Sequence, residues 1–264
     1  MQIEPLKQLM DLTGKTAVVT GGAMGIGYGI AYRLAEAGAN LVIADMNRQA
    51  ADEAAAKLKA KGYKAVAVQT DVSKADDVRK MVDSAAKTYG GLDILVNDAG
   101  IYPSVPVMQL TEHDFERILA VNLKGVFLCT QAAAAQMIKQ GRGGKIINIS
   151  SVDAVHPSMV GLATYDASKH GVWGFTKNVA LELAPHHIWV NCIAPGGVNT
   201  PGVGAGQAAS KEMQAGTDAF FARIPMKRIG EPDDIGKVAL FLASGLASYM
   251  TGSQVVVDGG VLLT

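Results

Sequence analysis

Tyr165 and Lys169 lie four residues apart, near the start of a run of helix-forming residues that continues to Ala184 and stops at Pro185. In a helix, side chains at this spacing share a face, so a phenol and an ammonium group would point into the same space. A free tyrosine titrates near about pH 10, and a fixed cation beside it stabilises the phenolate. The pair could therefore act as a general acid or base near neutrality.

The overall composition excludes several classes of partner. The chain has 264 residues, and 24 Lys and Arg residues balance 24 Asp and Glu residues. Because the chain has no net charge, its electrostatics give no reason to expect binding to a nucleic acid or to an anionic membrane. The first residues lack the features of a signal peptide, and no apolar run approaches the length that spans a bilayer. We therefore expect a soluble, cytoplasmic protein.

Two cysteines, Cys129 and Cys192, lie far apart in the chain. Neither belongs to a CxxC motif or a Cys/His cluster, which argues against a disulfide scaffold and against a structural zinc site. We expect both to be small buried apolar side chains, and we expect no metal.

Short apolar runs alternate with longer helical patterns along the whole chain, which is typical of a parallel sheet with helical crossovers. No repeat, low-complexity tract or linker divides the chain. We predict one α/β domain over residues 1–264, with a leader at 1–13 and a doubly wound parallel sheet of about seven strands flanked by helices. The predicted strands are 16–20, 41–44, 65–69, 93–96, 145–149, 189–193 and a last buried strand at 255–260.

Helix starts are indicated at three places between these strands. Ser73 and Thr111 are each followed three residues later by an aspartate, a pattern typical of an N-cap. Glu231 precedes Pro232, and proline is favoured in the first turn of a helix. A glycine- and alanine-rich stretch near 202–216 is too long for a simple connection, so we predict a substrate-binding lid over residues 199–226.

A glycine-rich loop follows the first predicted strand and precedes an alanine-rich helix. This order forms a phosphate site, because Gly21 allows a tight turn, Gly25 lets a pyrophosphate approach the backbone, and Gly27 permits close packing of the helix on the strand. The loop residues that we expect to bind the phosphate-bearing ligand are Gly21, Met24, Gly25, Ile26 and Gly27.

Asp45 ends the second predicted strand, close to the expected distance for a carboxylate that binds adenosine ribose hydroxyls. The same carboxylate would repel a 2′-phosphate, and Met24 and Met46 offer no positive charge nearby. The sequence therefore favours NAD(H) over NADP(H). Arg48 lies near enough to keep NADP(H) as the alternative.

Polar residues also follow the fourth and fifth predicted strands, at the ends where open α/β sheets bind ligands. Asn122 lies in a predicted helix among apolar neighbours, where its amide needs a partner. The order and rough spacing of several motifs between Thr13 and Gly260 match a single protein family. These motifs are Thr20-Gly-x-x-x-Gly25-x-Gly27, Asp71, Asn97-Asp98-Ala99-Gly100, Asn122, Ser151, Tyr165-x-x-x-Lys169 and Pro195-Gly196 followed by Thr200. In these motifs the chain resembles the short-chain dehydrogenase/reductase family, which has a Rossmann-type fold.

Two departures from the family pattern are visible. Asp98 stands where the family usually has a second asparagine, which leaves the turn to Asn97, Ala99 and Gly100. The gap from Ser151 to Tyr165 is one residue longer than the commonest form. Ser150 therefore remains an alternative to Ser151 as the serine that faces the substrate.

The resemblance implies an NAD(H)-dependent interconversion of a secondary alcohol and a ketone on a small molecule, by a Ser-Tyr-Lys-Asn proton relay. Tyr165 would exchange the proton, and Lys169 would lower the tyrosine pKa and hydrogen-bond the nicotinamide ribose. Ser151 would hold the substrate oxygen, and Asn122 would support a water that links Lys169 to solvent. The further cofactor-binding residues that the resemblance implies are Asp71, Val72, Asn97, Ala99, Gly100, Pro195, Gly196, Val198 and Thr200.

The substrate is less well defined by the sequence. We expect Tyr102, Asp153 and His156 to line the pocket with Ser151, which fits a polyol, a cyclic alcohol, a hydroxy acid or an aryl ketone equally well. A 3-oxoacyl-(acyl-carrier-protein) reductase is the alternative enzyme, and a catalytically silent dinucleotide-binding protein is the alternative from another class. By analogy with the family, we expect a homotetramer or a homodimer.

Overall fold

The computed structural model describes residues 3–201 and 219–264 and contains one sheet of seven parallel strands. The strand order is β3-β2-β1-β4-β5-β6-β7. The strands are β1 (Thr16–Thr20), β2 (Asn40–Asp45), β3 (Ala65–Gln69), β4 (Ile94–Asn97), β5 (Gly144–Ile149), β6 (Ile188–Pro195) and β7 (Gln254–Val257). The predicted fold class is confirmed, and six of the predicted strands end within two residues of the observed ends. The last strand is corrected: β7 ends at Val257, three residues before the predicted end, and it is only partly buried because it lies at the edge of the sheet.

Helices flank the sheet, and three of them cover one face while three cover the other. The helices are α1 (Leu6–Leu9), α2 (Gly25–Glu36), α3 (Arg48–Ala60), α4 (Ala75–Tyr89), α5 (Glu112–Leu119), α6 (Gly125–Gln140), α7 (Ala163–Leu183) and α8 (Pro232–Ala243). A π-helical turn, Ala120–Lys124, joins α5 to α6. Short 3₁₀ turns lie at Val152–Ala154, Ala184–His186, Gly245–Ala247 and Val261–Leu263.

Alternate residues of each strand pack on opposite faces, as the pleat of a strand requires. Leu41 and Ile43 of β2 pack with α2, α3 and α8, whereas Val42 packs with α4 and α6 on the other face. All three side chains are fully buried. Each such side chain contributes about 1.5–3 kcal/mol of hydrophobic stabilisation. Burial on both faces explains why these strands are continuous apolar runs in the sequence.

The direction of the strand order reverses between β1 and β4. From β1 the chain builds outward to β2 and β3 on one side, and β4 to β7 extend the sheet on the other side. At such a switch point the loops after the two central strands diverge and leave a crevice at their carboxyl ends. The glycine loop follows β1 and Asp98 follows β4, so both lie at this crevice.

A row of buried polar side chains, which we call the polar chain, crosses the sheet between α6 and α7. Asn97 Nδ2 donates to Thr130 Oγ1 at 3.1 Å and to Asn148 Oδ1 at 2.8 Å. Asn148 Nδ2 donates in turn to Thr176 Oγ1 at 2.9 Å. The polar chain therefore ties the carboxyl end of β4 and the neighbouring strand β5 to two helices.

Two of the three predicted helix starts are confirmed. Thr111 Oγ1 accepts a hydrogen bond from Asp114 N at 3.1 Å, and α8 begins at Pro232. The predicted cap at Ser73 is wrong, because α4 begins after Lys74 without a side-chain cap. Ser73 Oγ instead donates to Asp71 Oδ1 at 2.7 Å, since a nearby carboxylate is a strong acceptor.

Several predictions on segments and cysteines have mixed outcomes. Within the predicted leader, residues 3–13 contain the short helix α1. Most of the predicted lid, residues 202–218, lies outside the described residues. Cys129 and Cys192 are both buried, as predicted, and burial raises the pKa of the Cys129 thiol to about 12 and that of Cys192 to about 11.

One helical stretch, Glu112–Gln140, is long and apolar enough to cross a membrane by length and composition, with a mean hydropathy of 1.5 over a window of 18 residues. Core helices of soluble proteins pass the same test of length and composition. In this fold the stretch comprises α5, the π-helical turn and α6, and it packs against α4, α7 and the sheet. Its apolar side chains contribute to the core, with Cys129, Ala133 and Met137 all buried there.

Candidate active site

Helix α7 presents Tyr165 and Lys169 together at the carboxyl ends of the central strands. Lys169 Nζ lies 5.5 Å from the centroid of the Tyr165 ring, as the four-residue spacing on one helix predicts. Lys169 is buried, and its Nζ donates to the carbonyl oxygen of Ile149 at 2.8 Å. Burial lowers the pKa of Lys169, which the charge of Asp98 partly offsets.

Tyr165 does not have the lowered pKa that the sequence suggested. Burial raises the pKa of Tyr165 above its ordinary value, and the charge of Asp153 raises it further, against the opposing effect of Ser151. The prediction that Lys169 brings the tyrosine close to neutrality is therefore corrected for this structure. The reason is that burial disfavours the charged phenolate, and the neighbouring carboxylates of Asp153 and Asp98 add to this effect.

The two candidate serines have different environments. Ser150 Oγ donates to the carbonyl oxygen of Lys169 at 3.0 Å, so it is used in holding α7 against β5. Ser151 Oγ lies beside Tyr165, donates to Asp153 Oδ2 at 2.8 Å and accepts from Asp153 N at 3.1 Å. This arrangement favours Ser151 as the serine that meets a substrate.

Asn122 lies in the π-helical turn, a form of helix often found at functional sites. Its Oδ1 accepts from Ile101 N at 2.8 Å, and its Nδ2 donates to Ile101 O at 2.8 Å and to Ser168 Oγ at 3.1 Å. The amide is fully buried and thus has the partners that a buried amide needs. Asn122 thereby anchors the segment after β4 to the helix that carries Tyr165.

The glycine loop has the geometry of a cradle for a pyrophosphate. Gly21 and Gly25 have φ angles of +65° and +55°, which glycine adopts more readily than other residues. A Cβ at Gly27 would lie 2.7 Å from Asp98 Oδ2, so a larger residue would collide with its surroundings. The backbone of the glycine loop is therefore accessible to a ligand beside the first turn of α2. There, the N–H groups and the helix dipole favour the binding of an anion.

Asp45 and Thr200 border the same loop. Asp45 Oδ2 accepts a hydrogen bond from Ala23 N at 3.3 Å, which holds the carboxylate against the loop. A Cβ at Gly25 would lie 3.3 Å from the Cβ and from the methyl carbon of Thr200, so the Thr200 side chain packs closely on the loop. A dinucleotide fits this set of groups: an anion cradle, a carboxylate at the end of β2 and a threonine packed on the loop.

Asp98 lies half-buried between the glycine loop and Lys169. Burial raises the pKa of Asp98 to about 7; Asp45 raises it further, while Lys169 and the backbone of Gly27 act in the opposite direction. The carboxyl group therefore titrates near neutrality, next to the place where a pyrophosphate would bind.

The structure places the remaining predicted site residues in several environments. Tyr102 packs edge to face on Tyr165, with 6.1 Å between the ring centroids. The Asn97 side chain is hydrogen-bonded within the polar chain, so Asn97 can line the crevice through its backbone. His156 is exposed, and among the described residues its ring contacts the carbonyl oxygen of Pro157 at 2.9 Å.

The other predicted cofactor-binding residues form parts of the walls. Met24 is exposed before α2, and Ile26 packs against the core. Several of the rest pack against glycines or backbone and so help to shape the crevice. Asp71 accepts a hydrogen bond from Ser73, and Val198 pairs with Gly230. Ala99 lies against Gly21, and Gly196, which follows Pro195, packs on Asp258. A Cβ at Gly125 would touch Val72, and a Cβ at Gly100 would approach Asn122 and Lys169.

Two contributors were not assigned a role from the sequence. Thr20 Oγ1 accepts from Asp98 N at 3.1 Å and from Ala99 N at 3.2 Å, so it joins the end of β1 to the end of β4. Ser168 Oγ donates to the carbonyl oxygen of Tyr165 at 2.6 Å and accepts from Asn122. The position of Ser168 three residues after Tyr165, on the same helix face, was the available signal.

Comparisons with known proteins agree with this geometry. A family model described as enoyl-(acyl carrier protein) reductase matches residues 21–262. Together with the relatives below, this match shows that the chain belongs to the short-chain dehydrogenase/reductase family and is an oxidoreductase of that family. The family implies a nicotinamide dinucleotide cofactor.

Relatives with high coverage support the assignment. The chain is 40% identical over 262 residues to the short chain dehydrogenase/reductase astE of Aspergillus oryzae, covering 97% of this chain and 98% of the relative. It is 39% identical over 254 residues to an (S)-acetoin-forming diacetyl reductase of Staphylococcus epidermidis, covering 94% and 98%. A solved short-chain dehydrogenase/reductase from Mycobacterium marinum has a TM-score of 0.91 at 37% identity, covering 97% of this chain and 99% of the other.

Proposed function

We propose that this protein is an NAD(H)-dependent oxidoreductase that interconverts a secondary alcohol and a ketone on a small molecule. The observation that carries the proposal is the convergence of Tyr165, Lys169 and Ser151 on one crevice, beside a glycine cradle suited to a dinucleotide. The reduced or oxidised nicotinamide, when bound, supplies or accepts the hydride. The protein then has to bind the substrate oxygen and move one proton.

Each residue of the group has a role consistent with its contacts. Tyr165 would give a proton to the oxygen of a ketone or take one from an alcohol. Lys169 would hold the nicotinamide ribose and carry positive charge next to the tyrosine. Ser151 would hold the substrate oxygen, and Asn122 would keep α7 and the segment after β4 in register.

Preference for NAD(H) rests on the groups near the expected ribose. The Asp45 carboxylate faces the loop and would repel a 2′-phosphate. Arg48 Nε donates to Asp52 Oδ2 at 2.7 Å within α3, so this cation already has a carboxylate partner. Asp45 is then the charged group that a ribose would meet first, and it accepts hydrogen bonds from hydroxyls.

A 3-oxoacyl-(acyl-carrier-protein) reductase is the second candidate. The description of the matching family model refers to an acyl carrier protein. The chain is also 36% identical over 254 residues to the 3-oxoacyl-(acyl-carrier-protein) reductase FabG of Thermotoga maritima, covering 96% and 100%. Activity on a 3-oxoacyl thioester with NADPH, and none on small ketones with NADH, would favour this candidate.

The deciding experiment compares the wild-type protein with Tyr165→Phe on small ketones, with NADH and NADPH in parallel. We expect NADH-dependent reduction that falls by about 10²–10⁴-fold in the variant, the usual size of a general acid–base contribution. Tyr249→Phe, at a fully exposed position, is the matched control and should keep wild-type activity. Equal turnover by Tyr165→Phe and wild type, or NADH binding with no turnover of any ketone or alcohol, would contradict the proposal.

We also propose that the protein assembles as a homotetramer or homodimer through exposed apolar faces. Phe127 on α6 and Leu181 on α7 expose 41% and 74% of their surface. β7 is at the edge of the sheet, where a second copy could lie alongside it. A cytoplasmic location stays a prediction.

A further inference from the structure

Two loops at the carboxyl ends of the neighbouring strands β4 and β5 lie side by side and form what we call the rim of the crevice. The two loops are residues 101–110 and 155–162. Val105 N donates to the carbonyl oxygen of Gly161 at 2.9 Å, and Ser104 Oγ donates to the carbonyl oxygen of Val160 at 3.3 Å. Because these hydrogen bonds join the loops, the rim is one continuous surface.

The rim exposes apolar side chains to solvent. Four of them each expose more than half of their surface: Val107, Met108, Val155 and Val160. Neither loop contains an Asp, Glu, Lys or Arg residue, although 18% of the chain is charged. Exposed apolar patches usually mark a place where a ligand or a partner binds.

The rim is continuous with the candidate active site. Tyr102, in the first loop, packs edge to face on Tyr165 with 6.1 Å between the ring centroids. The second loop begins directly after the 3₁₀ turn that follows Ser151, and Ser158 N in this loop donates to Asp153 Oδ1 at 3.0 Å. A substrate whose reacting oxygen lies at Ser151 and Tyr165 would therefore extend over the rim.

The wall on the other side of Ser151 is also apolar. Val152, the next residue, is buried in a cluster with Phe220 and Phe221. Both phenylalanine rings approach Gly197, just after β6, where a Cβ would lie 3.0 Å from the Phe220 ring and 2.9 Å from the Phe221 ring. Apolar side chains thus border the reacting position on two sides, as is typical of small-molecule pockets.

The charged and polar groups near Ser151 disfavour polar substrates. The Asp153 carboxylate lies 2.8 Å from Ser151 Oγ, so a substrate carboxylate next to the reacting carbon would meet a like charge. In the rim, Ser104 Oγ and the His156 ring already contact backbone carbonyl oxygens. A polyol that covered the rim would give up hydrogen bonds to water, and the exposed Val and Met side chains would offer it none.

We propose that the rim selects substrates whose reacting carbonyl or alcohol group carries an apolar chain or ring, in preference to polyols and hydroxy acids. This inference rests on the proposed function and names the substrate class of the same site. The apolar part of the substrate would cover Val107 and Val160, and the removal of this surface from water would contribute to binding.

The test is a series of methyl ketones from 2-butanone to 2-octanone, compared by kcat/KM with NADH. We expect kcat/KM to rise by about two- to fourfold for each added methylene group, since each buried CH₂ group favours transfer out of water. In Val107→Ser/Val160→Ser, the value for 2-octanone should fall by about tenfold, because much of the apolar surface of the rim is gone. The value for 2-butanone, which has little chain to cover the rim, should change by less than about twofold.

Leu6→Ser is the matched control, because it replaces an exposed apolar side chain on α1, before the amino end of β1 and away from the rim. It should keep the wild-type values for every ketone. Thermal melting checks that each variant is folded. Val160→Thr, which keeps the shape of the side chain, replaces the double variant if that variant does not fold, and it should also lower kcat/KM selectively for 2-octanone.

A second readout needs no turnover. The oxidised cofactor has no hydride to give, so a ketone binds in the presence of NAD without reacting, and calorimetry measures its affinity. 2-Octanone should bind about tenfold more weakly to Val107→Ser/Val160→Ser than to the wild type. The affinity of Leu6→Ser should equal that of the wild type.

Three results would overturn the role of the rim. The first is a wild-type preference for a 2-oxo acid or a keto-polyol, and the second is a kcat/KM that does not rise along the ketone series. The third is an unchanged 2-octanone affinity in Val107→Ser/Val160→Ser together with a smaller assembly mass, which would show that a second copy of the chain covers the rim. No turnover of any ketone or alcohol by the wild type would instead overturn the proposed function, and the calorimetric affinities would still decide the role of the rim.

Discussion

The Asp98 carboxyl group couples the stability of the fold to pH. Its pKa is about 7 in the folded protein, compared with an ordinary value of 3.8. The folded state therefore binds this proton more tightly than the unfolded state does. The resulting stabilisation is complete below about pH 4 and is lost as pH rises through 7. Above that pH the folded protein carries an ionised carboxylate in an unfavourable position.

Asp98→Asn should therefore raise the melting temperature more at pH 8 than at pH 5. The amide carries no charge at either pH, and a gain on the order of a few degrees at pH 8 is expected for a domain of this size. Thermal melts monitored by circular dichroism give the comparison. Asp83→Asn, an exposed position on α4, is the control and should change little. An equal shift at both pH values for Asp98→Asn would show that its charge is not responsible.

Asp45 should set the choice between the two dinucleotides. Asp45→Ala removes the charge that disfavours a 2′-phosphate, so the ratio of NADP to NAD affinity should rise by about tenfold or more. Nicotinamide fluorescence titrations with NADH and NADPH measure both affinities without turnover. Glu53→Ala, an exposed change on α3, is the control. If the ratio does not change in Asp45→Ala, the carboxylate does not bind the ribose.

At the scale of elements, the contact between the glycine loop and α2 should tolerate no side chain at Gly27. A Cβ there would lie 2.7 Å from Asp98 Oδ2, inside the cradle. Gly27→Ala should lower stability by about 1–3 kcal/mol, as overpacking usually does, and also weaken NADH binding. Chemical denaturation and fluorescence titration measure the two effects.

Gly62→Ala separates backbone strain from cradle geometry. Gly62 has a φ of +88° at the exposed end of α3, with no atom within 4 Å of a Cβ. Alanine there should cost about 1–2 kcal/mol of stability through strain alone. NADH affinity should stay at the wild-type level. Similar losses of affinity in Gly27→Ala and Gly62→Ala would mean that general destabilisation, and not the cradle, explains the effect.

The elements were largely predictable because their physical causes are local. A strand buried on both faces is a continuous apolar run, and β1 and β5 could be read in this way. The N-cap at Thr111 was predictable because it also follows a local pattern. The predicted N-cap at Ser73 was wrong, because the Ser73 hydroxyl donates instead to the carboxylate of Asp71, two residues away. The π-helical turn at Asn122 left no pattern in the sequence that we could read.

The proximity of Tyr165, Lys169 and Ser151 was predictable from the sequence, but the electrostatics around them were not. The spacing of Tyr165 and Lys169 on one helix face is a property of the sequence. The pairing of Ser151 with Asp153 and the raised pKa of Tyr165 depend on how loops from different strands approach each other. Burial, which sets these pKa values, is a property of the whole fold, so no local pattern encodes it.

At the scale of the whole molecule, α6 and α7 expose apolar side chains through which we propose that a second copy binds. Phe127 packs edge to face on Phe175, with 6.4 Å between the ring centroids, and is 41% exposed. Phe127→Lys places a charge there and should reduce the assembly to a smaller species, because an unpaired charge in an interface is costly. Light scattering after size-exclusion chromatography measures the mass.

Met108→Lys is the control for this change, because Met108 is 93% exposed in the segment before α5. It should leave the mass of the assembly unchanged. A wild-type protein with the mass of a monomer, or a Phe127→Lys variant with the wild-type mass, would contradict an interface at Phe127.

The polar chain through Asn97 and Asn148 limits how this sequence can change over time. Replacing Asn97 alone by an apolar residue would leave the Asn148 amide oxygen buried without that donor, at a cost of about 1–3 kcal/mol. Replacing both with apolar residues of similar shape would remove the need for the pair and can be nearly neutral. The two positions are thus linked in evolution: single substitutions meet a barrier, and the route to an apolar interior passes through paired changes.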